Sequence, residues 1–325
     1  MAFAGNMYFI DASSKADHNL KDLDLILRLM DENGVYRTLL ATNGHLPDGA
    51  ILLLAKRHPE RIIPTVRLSG KPYLESRPSF FRKLDEDVAG GQYRGMSEAL
   101  VYHAEKTTRV HHASEYSLPI DDLRLRASLA HARKQGWPFV VHIEFGVLSR
   151  EERARYKSEL TKFLIANQDV AVVLIHLAQL HADEAEPLLK GHPNLYLMTS
   201  HCNPAFLQRM KTAPLENMFS GNSLSSAWIK VMLHFPDRFV FALDNVYAEH
   251  WQWQWYGEQM RLWRLALEKL PPEAAHVVAH GMLSGCGDCR PKRRVAGSVP
   301  DRGLCEECKI RWDVGAKRNK KIHKT

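Results

Sequence analysis

Apart from Cys202, the first 285 residues of this 325-residue chain contain no cysteine, and they carry no excess of either charge. The net charge of +7 comes from the last 40 residues, where twelve Lys and Arg face five Asp and Glu, so 32 of each sign remain in residues 1–285. A polyanionic partner is therefore a matter for the tail and not for the main body. No apolar run approaches the ~18 residues of a membrane span, and Met1–Met7 has neither a cationic start nor a long apolar stretch. These absences lead us to expect a cytoplasmic protein with no membrane partner. No Gly-rich phosphate fingerprint follows any strand-like run, which argues against dinucleotide binding, and no internal repeat is visible.

What the chain does have is continuous apolar runs with polar tips. Pro138 to Val141 ends in His142-Ile143-Glu144, Val170 to Ile175 ends in His176, and Phe239 to Leu243 ends in Asp244. Runs of this kind read as strands covered on both faces, as in a parallel sheet wrapped by helices. Strand-like segments begin at Met7, Val35, Arg61, Tyr93, Pro138, Val170, Leu195 and Arg238, with helical patterns between them. Ser149-x-x-Glu152 is a capping-box pattern that opens one of those helices, and Pro119 suits the first turn of another. Eight such alternations in about 270 residues predict an α/β fold, a (β/α)₈ barrel over residues 1–285, with its site at the strand C-termini.

The remaining cysteines form Cys286-x-x-Cys289, fifteen residues, then Cys305-x-x-Cys308. This is the spacing of a four-thiolate structural zinc site. Residues 286–325 are thus expected to be a small zinc-ribbon-like segment folded around its ion. Its run of Arg290, Lys292, Arg293 and Arg294, with Trp312 and Lys317 to Lys321 beyond, suits contact with nucleic acid or with a protein.

The three tipped strands supply His142, His176 and Asp244, the residue types of a divalent-metal hydrolytic site. In this order they resemble the amidohydrolase superfamily, in the branch that includes aminocarboxymuconate semialdehyde decarboxylase. Pro236 to Asp244 is similar to that branch's eighth strand, and Ala279-His280-Gly281 to its closing turn. The resemblance implies His142 and Asp244 as metal ligands, His176 as the residue orienting substrate or water, and Asp244 as general base. It fails at strand one, where the family carries Asp-Ala-His-x-His and this chain has Asp11-Ala12-Ser13-Ser14-Lys15. Ser13 is a poor ligand and protonated Lys15 is none.

Three readings stay open. Lys15 stands near Asp244 and replaces the ion's charge; or a weakly held divalent metal binds through His142, Asp244 and Glu144 or His201; or the barrel is an inactive scaffold for the zinc-ribbon tail. The leading expectation is a hydrolase or non-oxidative lyase for a small carboxylated or amide substrate, with Asp244, His176 and Lys15 catalytic and Arg67, Arg94 and Glu98 binding substrate. Adjacent His201 and Cys202 rarely point together, so a catalytic thiol is disfavoured. Trp251, Trp253, Trp255 and Tyr256 suit helix packing better than a substrate lid. Homo-oligomerisation is compatible with all three readings.

Overall fold

The computed structural model describes residues 7–107, 112–207 and 216–281. The four expected zinc ligands and the basic run lie outside the described residues. Eight strands follow one another: β1 Phe9–Ala16, β2 Val35–Thr42, β3 Ile62–Pro64, β4 Ala99–His103, β5 Phe139–Ile143, β6 Val172–Leu174, β7 Leu195–Met198 and β8 Phe239–Val240. A helix follows each: α1 Asp24–Glu32, α2 Asp48–Arg57, α3 Pro78–Ala89, α4 Leu123–Gln135, α5 Arg150–Ala166, α6 Ala182–Gly191, α7 Ser226–His234 and α8 Trp253–Leu267.

Neighbouring strands pair in parallel from β1 to β3 and from β4 to β8. A parallel bridge between Val66 and Met96 joins the two sets. The ring closes where the segment beyond β8 meets β1: Ala12 N donates to Phe241 O at 3.0 Å, and Asp244 N donates to Ser13 O at 2.7 Å. The eight strands are thereby joined into one ring. Two apolar layers follow from the alternation of side chains. Ile10, Ala12, Val140, Val173, Tyr196, Met198, Val240 and Ala242 fill the interior, while a larger cluster including Phe139, Val141, Val172, Leu174 and Leu197 packs between sheet and helices.

The elements depart from the sequence expectation in length more than in kind. The fourth strand, expected over Tyr93–Tyr102, pairs regularly only over Ala99–His103. The eighth is a two-residue ladder, because residues 241–245 bond to β1 one group at a time. Helix α4 starts at Leu123, not beside Pro119, since the Asp122 side chain accepts from Arg124 N and caps it. The box opening α5 is reciprocal: Glu152 N donates to Ser149 Oγ at 3.3 Å, and Ser149 N donates to Glu152 Oε2 at 3.2 Å.

Ser149→Ala is expected to destabilise the protein by about 1 kcal/mol, the usual worth of such a cap, measured by chemical denaturation.

Candidate active site

The geometry of the site begins with a bulge. Along β1, Asp11 pairs with Thr38 and Ser14 with Leu40, so one extra residue is inserted between them. Ile10 and Ala12 face the interior, and regular alternation would turn Ser14 inward next. The extra residue flips that parity and aims Lys15 inward instead. Its ammonium, on a residue only 6% exposed, is bonded to Glu98 Oε1 and lies 3.7 Å from Asp244 Oδ1. Burial pushes the Lys15 pKa down, but Glu98 and Asp244 outweigh it and hold the ammonium above its ordinary range.

Asp244 has two occupied sides. Ser13 Oγ donates to Oδ1 at 3.4 Å on the Lys15 side. On the other, Oδ2 is 3.6 Å from His176 Nε2 and 3.4 Å from His201 Nε2. Burial would raise the Asp244 pKa; Lys15, then His201, His142 and His250, hold it below its ordinary value, so the carboxylate is ionised at neutral pH. The imidazoles of His176 and His201 stack at 4.3 Å, Phe206 stacks on His201, and His142 meets His176 edge-on at 5.1 Å. Ser200 fixes His176, whose Nδ1 lies 2.9 Å from the hydroxyl and 3.1 Å from the carbonyl.

The backbone beneath these groups is strained. Of seven non-glycine residues with positive φ among the described residues, six are His176 to Gln179, His201 and Asp244. Four consecutive left-handed residues make a turn that L-amino acids avoid at roughly 1–2 kcal/mol each. Such outliers persist where the surroundings over-determine them. For Asp244 the surroundings are visible: Leu243 N donates to Asp11 Oδ1 at 2.9 Å, and Asn245 N donates to Ser14 Oγ, which itself donates to Asp11 Oδ2 at 2.6 Å. Asp11 thus brackets the kink from both sides.

The sequence-derived candidates separate accordingly. Lys15, Glu98, His142, His176 and Asp244 come together, and His201 joins them through its stack on His176. Glu144 is spent on Ala104 N, at 2.6 Å, and stands 3.2 Å from His142 Nε2. Arg67 donates to Gly44 O and Ser69 Oγ. Arg94 is exposed and donates to the carbonyls of Gly91 and Tyr93. Cys202 is buried and donates to Ser200 O, its thiol pKa pushed well up by burial, which suits no nucleophile. Trp251 packs fully buried and donates to Lys15 O at 2.9 Å.

A metal has one set of ligands to consider among the described residues: atoms of His176, His201 and Asp244 all lie within 4.8 Å of one another. Two imidazoles and a carboxylate suit a transition metal. His201 Nε2, however, sits 2.9 Å from the Asp244 carbonyl oxygen, which engages that nitrogen as a donor, and Lys15 already brings a cation to the same carboxylate.

No protein-family description and no curated protein matches the chain. Two solved structures resemble it over 84% of its length. An uncharacterised TIM-barrel protein from Bordetella bronchiseptica, with 96% of that chain covered, has a TM-score of 0.57 at 14% identity. Dihydroorotase from Campylobacter jejuni, with 81% of that chain covered, has a TM-score of 0.50 at 13% identity. The fold is that of a TIM barrel. In TIM barrels the strand C-termini carry the chemistry, and Lys15, His142, His176 and Asp244 stand at or just beyond those ends. Arg94 stands where the fourth strand enters, its backbone N donating to Pro64 O.

Burial pushes the Asp11 carboxyl up to about 6 from an ordinary 3.8, against hydrogen bonds from Ser14, Leu243, Thr38 and Ser13. An acid with a raised folded pKa binds more protons folded than unfolded, so its contribution is most favourable below 3.8 and is lost as pH rises to about 6. The shift corresponds to about 3 kcal/mol. Asp11→Asn is expected to flatten stability against pH across that window, measured by denaturation at a series of pH values; an unchanged slope would refute it.

Proposed function

We propose that the barrel is a hydrolase or non-oxidative lyase acting on the carbonyl group of a small molecule, with Lys15 as a fixed electrophile. The observation that carries this reading is the Lys15 ammonium held inside the barrel between Glu98 and Asp244. An ammonium has three donors, and those beyond the Glu98 bond are available to polarise a substrate oxygen. Asp244, kept ionised, accepts a proton from water as the water oxygen adds to the carbonyl carbon. His176, against the same carboxylate, returns a proton to the departing atom. Positioned proton transfer of this kind contributes roughly 10²–10⁴-fold. The likeness to dihydroorotase supports an amidohydrolase-like barrel as the scaffold. An inert scaffold would leave the strain concentrated under His176, His201 and Asp244 without a purpose.

A second reading is favoured by the convergence of His176, His201 and Asp244. These three would hold a divalent ion, which when bound polarises a carbonyl and makes a water acidic. In either case the Cys286, Cys289, Cys305 and Cys308 spacing supports a structural zinc in the segment after residue 285, and the basic residues around it support a nucleic-acid or protein partner for that segment.

Lys15→Met is expected to lower turnover at least a hundredfold, the lower range for removing one preorganised donor from a developing oxyanion, in a screen of small amides and esters. Chelator treatment should leave the wild type unchanged, and Cys286→Ser should remove the bound zinc. Activity lost to a chelator and restored by zinc would shift the assignment to the second reading.

A further inference from the structure

Two side chains inside the barrel hold polar atoms that nothing among the described residues satisfies. Glu98, 6% exposed, gives Oε1 to Lys15 and leaves Oε2 with no hydrogen-bond partner. His142, 3% exposed, has no hydrogen bond at either ring nitrogen, and its Nε2 lies 3.2 Å from Glu144 Oε1. The two are close in register: Leu100 of β4 pairs with His142 of β5, and Glu98 is two residues before Leu100, just ahead of β4. An unmet buried acceptor costs about 1–3 kcal/mol, more when charged, so these atoms mark where a ligand's polar groups belong.

The kind of ligand follows from charge. Within the Lys15, Glu98 and Asp244 group, one ammonium faces two carboxyl groups, and Glu98 Oε2 is turned away from it. A carboxylate brought beside Glu98 Oε2 would meet another acceptor and offer it no donor. The arginines that could have gripped it are engaged elsewhere, Arg67 by Gly44 O and Arg94 by Gly91 O and Tyr93 O. A neutral molecule with an N–H beside a carbonyl meets both demands, since its N–H satisfies Glu98 and its oxygen approaches Lys15.

We infer that Glu98 sets specificity: its unpartnered Oε2 accepts an amide-type N–H of a neutral substrate and turns carboxylates away, while His142 bonds the remaining polar edge. This rests on the reading of Lys15 as the group that faces the substrate oxygen. It narrows the substrate from a carboxylated or amide compound to the amide class.

The test is direct binding to the full-length protein by titration calorimetry, with hydantoin, glutarimide and 2-pyrrolidone as neutral cyclic amides and succinate as the anionic comparison. The wild type should bind at least one cyclic amide and take succinate at least tenfold more weakly. Glu98→Gln keeps an oxygen for Lys15 but turns the free position into a donor, so amide affinity should fall tenfold or more while succinate binding improves. An improvement cannot come from misfolding. His142→Asn should weaken the amide without improving succinate. Preference for succinate in the wild type, failure of all three amides to bind, or amide affinity indifferent to Glu98→Gln would overturn the inference. So would zinc binding that Glu98→Gln abolishes, because the unmet atoms would then be ligands of an ion. The titrations read binding and not turnover, so the two readings fail separately: Glu98-dependent amide binding, together with full activity of Lys15→Met in the turnover screen, would discard Lys15 as electrophile and leave Glu98 as the specificity residue.

Discussion

Removing an ammonium from water costs several kcal/mol unless charge and hydrogen bonds replace its hydration. For Lys15 the replacement comes from two places far apart in the chain, Glu98 before β4 and Asp244 beyond β8. Neither carboxylate would be acceptable in this interior alone, so each of the three charges is the condition for the other two. The surrounding structure serves that condition. The β1 bulge aims the lysine, Trp251 ties down its carbonyl, and Asp11 with Ser14 fixes the backbone on both sides of Asp244. Barrel closure and site assembly are therefore one event, since the hydrogen bonds that close the ring between β1 and the segment after β8 also set Lys15 against Asp244.

Asp244 divides the rim into two halves of different character. Its Oδ1 belongs to the ammonium and the Ser13 hydroxyl, its Oδ2 to a pair of stacked imidazoles. One half carries the ammonium, while the other is lined by imidazole rings. The proposed chemistry needs proton transfer and carbonyl polarisation within reach of one reacting atom, and a single carboxylate facing both ways would provide the meeting point.

Much of this was legible in the chain. Apolar runs ending in His142, His176 and Asp244 mark strands with polar tips because burial on both faces leaves chemistry only at the ends. One of the three readings of Asp11-Ala12-Ser13-Ser14-Lys15 sets Lys15 near Asp244, and the two stand 3.7 Å apart. Other features have no local signature. The bulge that turns Lys15 inward depends on register with β2, and the left-handed turn at His176 to Gln179 runs against every residue's own preference. His201 could be weighed only as an alternative ligand, because its place beside His176 depends on the stack between two strand ends. Arg67 and Arg94 were drawn as substrate grips from their nearness to strands; which carbonyls would engage them depends on loop paths that composition does not encode.

The left-handed turn has a consequence for how this barrel can change over time. Strain of several kcal/mol under the rim, on the per-residue scale for such conformations, is comparable with the entire 5–15 kcal/mol margin of a typical folded protein. Substitutions that relax residues 176–179 would make the molecule hardier while dispersing its imidazoles, so selection for robustness and selection for chemistry pull in opposite directions here. Were the rim idle, nothing would oppose relaxing that turn, so residues 176–179 are where a drift away from the proposed chemistry would first show.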